Sequence, residues 1–177
     1  MKEGETLDKG IMDLIKNLIV AGIIALIISV FIKPTLVKGN SMYPSFHNND
    51  YLLINKIPYI LMEPNRGDVV IFKTSIMTST VKVNNLVKRV IGVGGDLVEI
   101  KDGKIYVNGE KIKESYINDK YTNRDLRIRV PKDSFFVMGD NREISLDSRK
   151  LGPIKKDHIR GKAFFRIYPF NKLGMIK

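Results

Sequence analysis

The chain has 177 residues, 30 Lys plus Arg against 19 Asp plus Glu, a net charge of +11 and no cysteine. This length allows one compact domain with its own core, and the missing thiols exclude disulfides, a cysteine nucleophile and cysteine-bound zinc. The positive excess suits an anionic membrane surface, and no basic tract or aromatic-basic interleaving marks nucleic acid, so no nucleic-acid partner is expected.

Taken in chain order, the first element is the uncharged run from Leu18 to Ile32, LIVAGIIALIISVFI. It is apolar all round, unlike an amphipathic core helix. The preceding Glu3, Glu5, Asp8 and Asp13 and the closing Val-Phe-Ile-Lys-Pro lack the cationic start and small-residue cut of a removable leader. A transmembrane anchor over residues 15–33 is therefore expected, after a tail over 1–14, with Lys16 and Lys33 snorkelling at its ends. Lysines on the two sides barely favour an inside N-terminus.

From residue 34 the pattern becomes strand-like. Tyr51-Leu-Leu-Ile-Asn reads as a strand, Arg66-Gly-Asp as a turn and Val69-Val-Ile-Phe72 as a buried strand. Lys73 to Thr80 is a polar stretch, followed by alternation at Val81 and Val83 and a strand over Leu86 to Ile91. Gly92-Val-Gly-Gly-Asp reads as a turn, because it lacks the spacing of a nucleotide loop. Asp102-Gly103 and Asn108-Gly109 then divide residues 97–113 into a meander. Residues 114–130 are poorly patterned and read as a loop or small lobe, and Phe135-Phe-Val-Met starts another strand. The expected fold is mostly β: a single helix, then a coiled or barrel-like β domain over 34–177, with 97–133 as an inserted hairpin region.

Three places carry chemistry. Ser41 lies in the turn-rich KGNSMYPSF, just beyond the apolar run, where a loop can project a hydroxyl and leave a backbone N–H as an oxyanion donor. Its base must come from elsewhere. His158 with Asp147 would complete one familiar triad order, but order alone proves little and KKDHIRG reads as surface. The other base is Lys88: strand alternation puts it on the face of Leu86 and Val90 and puts Arg89 opposite, so one cation must face an apolar side. Depressing a lysine pKa from about 10.4 to about 8 costs roughly 3 kcal/mol, and the neutral amine could then accept the Ser41 proton. An exposed lysine on an edge strand is the alternative. Gly139-Asp-Asn-Arg-Glu-Ile-Ser-Leu-Asp-Ser-Arg149 is the densest polar cluster and suits a hydrogen-bonded loop that orients other groups.

Taken together, GNSMYPSF, RGDVVIF, KRVIGVGGD and GDNREISLDSR resemble the ordered signature boxes of the type I (leader) signal peptidases, with the single anchor and short length of the Gram-positive bacterial branch. The resemblance spans about residues 15–168. It implies a membrane serine endopeptidase that removes signal peptides from exported preproteins and prefers small residues at positions −1 and −3 from the cut. It also implies a Ser41 nucleophile, Lys88 as general base, Ser145 orienting the lysine amine, and Asp140, Asn141, Arg142, Asp147 and Arg149 bracing the site. Met42, Tyr43 and Pro44 are candidates for substrate or membrane-surface contact. Neither metal nor cofactor is called for. Where some branches carry a hydroxyl residue as second oxyanion donor, this chain has Gly39. The expected location is the cell membrane, with the N-terminus cytoplasmic and the catalytic domain outside. Two rivals are a Ser/Lys self-cleaving repressor-type protease, which would carry a DNA-binding helical domain in place of an anchor, and a non-enzymatic tethered binding module, which would not need Lys88.

Overall fold

The structure, a computed structural model, describes residues 2–56, 59, 63–77, 82–118, 122 and 124–176. The chain divides into two units, Met1–Lys33 and Pro34–Lys177. The first is a single helix, α1, Lys2–Phe31. Its segment Gly10–Phe31 is long and apolar enough to cross a membrane, since 22 residues rising ~1.5 Å each reach the ~30 Å of a hydrocarbon core.

The remainder is two β-sheets. Strands β1 (Ile32–Leu36), β2 (Tyr51–Asn55), β3 (Val69–Met77), β4 (Lys82–Gly92), β9 (Ser134–Met138), β10 (Ile154–Lys155), β11 (Ile159–Tyr168) and β12 (Gly174–Met175) form the larger sheet. Its order is β1-β2-β11-β3-β4-β9-β10, with β12 beside β11. The path has two ends, so the sheet is open and not a closed barrel. The smaller sheet, ordered β7-β6-β5-β8, contains β5 (Leu97–Lys101), β6 (Lys104–Val107), β7 (Glu110–Lys111) and β8 (Leu126–Arg129). A short helix, α2, covers Ser148–Leu151.

The apolar run of β3 follows from burial on both faces. Val69 and Ile71 join a core with Val37, Met42, Phe46, Leu52, Ile54 and Ala163, whereas Val70 and Phe72 join Val90, Phe135, Val137 and Ile154. Strand β9 alternates likewise, because Phe136 and Met138 belong to a third core with Ile91, Val98, Ile100, Ile105, Val107 and Val130, which seats the smaller sheet. The two Asx-Gly turns hold positive φ at both residues of each pair, the mirror-image turn geometry whose twist matches that of the strands.

Several elements differ from the sequence reading. Strand β3 continues through the polar residues to Met77, pairing with β4 across a register break between Lys73 and Ile76. Residues 78–81, including the Val81 of the expected alternation, lie outside the described residues. Leu126–Arg129, inside the poorly patterned stretch, is a strand because β5 offers it a partner edge. Most important, β11 has no counterpart among the expected strands, yet it joins β2 to β3.

Candidate active site

The loop between β1 and β2 is tied at its base by Val37 N donating to Asp50 O (2.8 Å) and Asn49 N to Val37 O (2.9 Å). Within it Met42 and Phe46 plug into the core, and Tyr43 N donates to Asn40 O at 3.1 Å. Ser41 thus stands on a turn pinned by buried neighbours. Its carbonyl accepts from Asn141 N at 3.1 Å, while its own N–H has no hydrogen-bond partner among the described residues. The Gly39 N–H is committed to Asn48 Oδ1 at 2.8 Å.

Lys88 lies in the middle of β4 between β3 and β9, not at an edge, and is 0% exposed. Its Nζ is 2.6 Å from Ser41 Oγ and 2.9 Å from Val87 O. Burial lowers its pKa to about 8, against the raising pull of the Asp147 and Asp140 carboxylates, with Arg149 adding to the depression. Arg89 is buried as well, at 2% exposed. Alternation sends the two cations to opposite faces, and both are buried, so the alternative of an exposed lysine on an edge strand fails.

The cost of burying Arg89 is offset by pairing. It donates to Asp140 Oδ1 (3.0 Å) and Oδ2 (2.8 Å), to Gly67 O (2.9 Å) and to Ser45 Oγ (3.3 Å), as a buried guanidinium requires. Asp140 opens the 139–149 loop, which wraps back over the end of β9. Asp147 N-caps α2 by accepting from Arg149 N, takes Gly139 N at 3.0 Å, and is gripped by Arg149 Nε and Nη2, each at 2.9 Å. Burial pushes the Asp147 carboxyl up, but the Arg149 pair, the Gly139 N–H and the Ser145 hydroxyl prevail and hold it below the ordinary carboxylate range. Arg142 donates to Gly139 O (3.1 Å) and Thr122 Oγ1 (2.8 Å) and pairs with Glu114.

The structure therefore brings Ser41, Lys88, Asp140, Asn141, Arg142, Asp147 and Arg149 into one connected arrangement. Asn141 enters through its backbone N–H, and Arg142 through the loop carbonyl. Ser145 is buried beside Gly139, where its hydroxyl helps to hold down the Asp147 carboxyl; no well-formed hydrogen bond from it to Lys88 Nζ is present among the described residues. The expected contact from Ser145 to the lysine amine is absent because Lys88 Nζ is turned toward Ser41 and Val87. Met42 is 1% exposed and packed in the core, so it cannot meet a bilayer. Tyr43 is exposed and Pro44 half-buried. His158 is solvent-facing, its side chain 54% exposed, and Asp147 is occupied by Arg149, so the histidine route has no assembled partners.

Residue-type reasoning overlooked Gly139, Ser45, Glu114 and Thr122. A Cβ on Gly139 would collide with Ser145 Oγ and the Ser41 carbonyl, so glycine is what lets the loop and the Ser41 turn pack together. The only signal was a glycine at the junction of an apolar strand and a polar cluster.

Residues 11–168 match the family model described as signal peptidase, peptidase S26. The chain is 37% identical over 178 residues to signal peptidase I S of Bacillus subtilis (strain 168), with 93% of each chain covered. It is 40% identical over 174 residues to a signal peptidase I of Bacillus amyloliquefaciens, covering 92% of this chain and 88% of that one. A crystal structure of a signal peptidase I from Enterococcus faecalis V583 is 30% identical, covers 56% of this chain and 96% of that chain, and gives a TM-score of 0.49. With the family model spanning most of its length and relatives of this identity aligned nearly end to end, the chain belongs to the signal peptidase, peptidase S26, family.

Proposed function

We propose that this signal-peptide-cleaving serine peptidase works through a Ser41–Lys88 dyad held at a membrane by α1. The observation that carries the reading is the 2.6 Å approach of a buried lysine amine to Ser41 Oγ. With a pKa of about 8, a substantial share of Lys88 is neutral near physiological pH, and in that state the hydroxyl donates and the amine accepts. Ser41 Oγ then attacks the scissile carbonyl, and Lys88 receives the proton. The Ser41 N–H, free of other partners, donates to the developing oxyanion. Collapse expels the new amine terminus, protonated by the Lys88 ammonium. The acyl-enzyme is then hydrolysed by a water that the same amine deprotonates. Asp140, Asn141, Arg142, Asp147 and Arg149 keep the nucleophile turn and β4 in register, and Ser145 acts by packing between Gly139 and the turn.

Substrates on this reading are exported preproteins with small residues at −1 and −3, presented at the lipid surface. α1 crosses the bilayer once, with residues 1–14 cytoplasmic and 34–177 outside. The test is to incubate purified wild type, Ser41→Ala, Lys88→Met and His158→Ala proteins with a labelled preprotein and to locate the new N-terminus. Wild type and His158→Ala cut at the signal-peptide junction, and the other two do not. An active Lys88→Met protein would sink the dyad.

A further inference from the structure

The two buried arginines that brace the site, Arg89 and Arg142, are both gripped by a segment with no recognisable motif, the stretch after β7. The Tyr116 ring lies under the Arg89 guanidinium, 4.1 Å from its centroid. Glu114 takes Arg142 through two nitrogens, one contact at 3.2 Å and the other shorter. The Tyr116 hydroxyl donates to Glu114 Oε1 at 3.2 Å, tying the two together. Tyr116 also packs against the core of the smaller sheet, so this segment is anchored on its far side.

We propose that Glu114 and Tyr116 are positioning residues for the Ser41–Lys88 pair, a clamp by which the smaller sheet fixes the planes of Arg89 and Arg142; this rests on the dyad reading above. A guanidinium satisfies hydrogen-bond partners only in its plane, so its faces need an aromatic or apolar cover once water is excluded. Tyr116 supplies that cover. The plane it fixes sets the two-point bond to Asp140 (3.0 and 2.8 Å). Asp140 leads directly into Asn141, whose N–H holds the Ser41 carbonyl. Arg142, held by Glu114 and Thr122, fixes the Gly139 carbonyl at the other side of the same loop residue. Neither clamp residue hydrogen-bonds Ser41 or Lys88 among the described residues, and the clamp acts through the arginines.

The consequence reaches the base. The charged groups acting on Lys88 from the packed loop are Asp147, Asp140 and Arg149, with Arg89 next to it on its own strand. If Arg89 loosens, Asp140 is less neutralised, the Lys88 ammonium is favoured, and the rise of activity with pH moves to higher pH. A purely structural role for Tyr116 would not move that limb.

The experiment uses full-length Tyr116→Leu, Tyr116→Phe, Glu114→Gln and Lys88→Met proteins in detergent, assayed on a short signal-peptide substrate from neutral to alkaline pH. Tyr116→Leu is expected to lower kcat about tenfold, to change KM by less than about twofold, and to move the limb upward. Tyr116→Phe, which keeps the ring, restores the limb and most of kcat, and Glu114→Gln lowers kcat several-fold. Wild-type kcat and limb in both Tyr116→Leu and Glu114→Gln overturn the clamp, as does a loss that leaves the limb unmoved or that Tyr116→Phe shares in full. If Tyr116→Leu does not fold, Glu114→Gln decides: an unchanged kcat overturns the proposal. Inactive Lys88→Met beside unperturbed clamp variants removes the clamp alone, whereas active Lys88→Met removes the dyad and the clamp with it.

Discussion

Lys88 concentrates the physics of the site in one side chain. Its amine is buried where no carboxylate among the described residues pairs with it directly, so the neutral form is favoured and the pKa falls to about 8. Activity on a short peptide should therefore rise with pH through about 8 and level off above it. Stability follows the same shift. The unfolded lysine titrates near 10.4, so the unfolded chain binds more protons between about 8 and 10.4, and stability rises with pH over that window. Below it the charged amine costs about 3 kcal/mol. Lys88→Met, inactive on the dyad reading, should be at least as stable as wild type at neutral pH, and the gap should close as pH approaches 10.4. Parallel denaturant titrations of both proteins across this range read the effect, and a gap that widens with pH refutes the assignment. Ser145 offers a contrasting case. Its buried hydroxyl faces Asp147 without a well-formed hydrogen bond among the described residues, so Ser145→Ala should change stability by no more than about 1 kcal/mol, whereas truncating a well-bonded buried hydroxyl costs more. Thermal unfolding of that single variant checks it.

At the scale of elements, the site is the meeting of three segments from distant parts of the chain: the β1–β2 loop, the middle of β4 and the loop that closes over β9. Gly139 is where two of them touch. Because a methyl there would strike the Ser41 carbonyl and Ser145, Gly139→Ala must force the Ser41 turn and the 139–149 loop apart. We expect a loss of about 1–3 kcal/mol in stability and a fall in kcat of at least about 100-fold, since displacements of an ångström suffice for that. Measuring both separates the effects: a variant that is destabilised yet fully active would show that the turn relaxes without moving Ser41. Position within the sheet matters in the same way. Strand β4 is interior, paired by β3 and, from Arg89 onward, by β9, and the Ser41 turn meets the Lys88 amine on its face of the sheet, which keeps water from it.

For the whole molecule, the proposed nucleophile Ser41 and the proposed base Lys88 both lie within the unit Pro34–Lys177. A protein lacking residues 1–31 should therefore fold and cut a soluble peptide at a rate near that of the full chain. It should process a preprotein embedded in vesicles much more slowly, because an anchor confines enzyme and substrate to one surface and raises their effective concentration. Comparing the two proteins on the two substrates tests this, and equal rates on the embedded preprotein would remove the role given to α1. The orientation has its own check: protease added outside intact protoplasts should digest the large unit.

Local patterns were legible in the sequence wherever they depend on near neighbours. The apolar run of α1, the Asx-Gly turns flanking β6, the apolar runs of β3 and β9 and the turn-borne Ser41 all follow from period, turn chemistry or side-chain type within a few residues. So did the pairing of a serine with a lysine as a candidate, although a short segment could not say whether Lys88 was wet or dry. That was decided by strands far away in sequence. β11, unread because its mixed basic and aromatic composition gives no clean alternation, joins β2 to β3 and so brings the Ser41 loop to β4. The pairing of Arg89 with Asp140 and the grip of Glu114 and Tyr116 were likewise invisible, since each partner is an ordinary polar residue until long-range packing excludes water around it. The chain by itself determined which groups were available for chemistry. Tertiary structure decided their protonation and their partners, because desolvation and the contact between Ser41 and Lys88 exist only once the sheets are assembled.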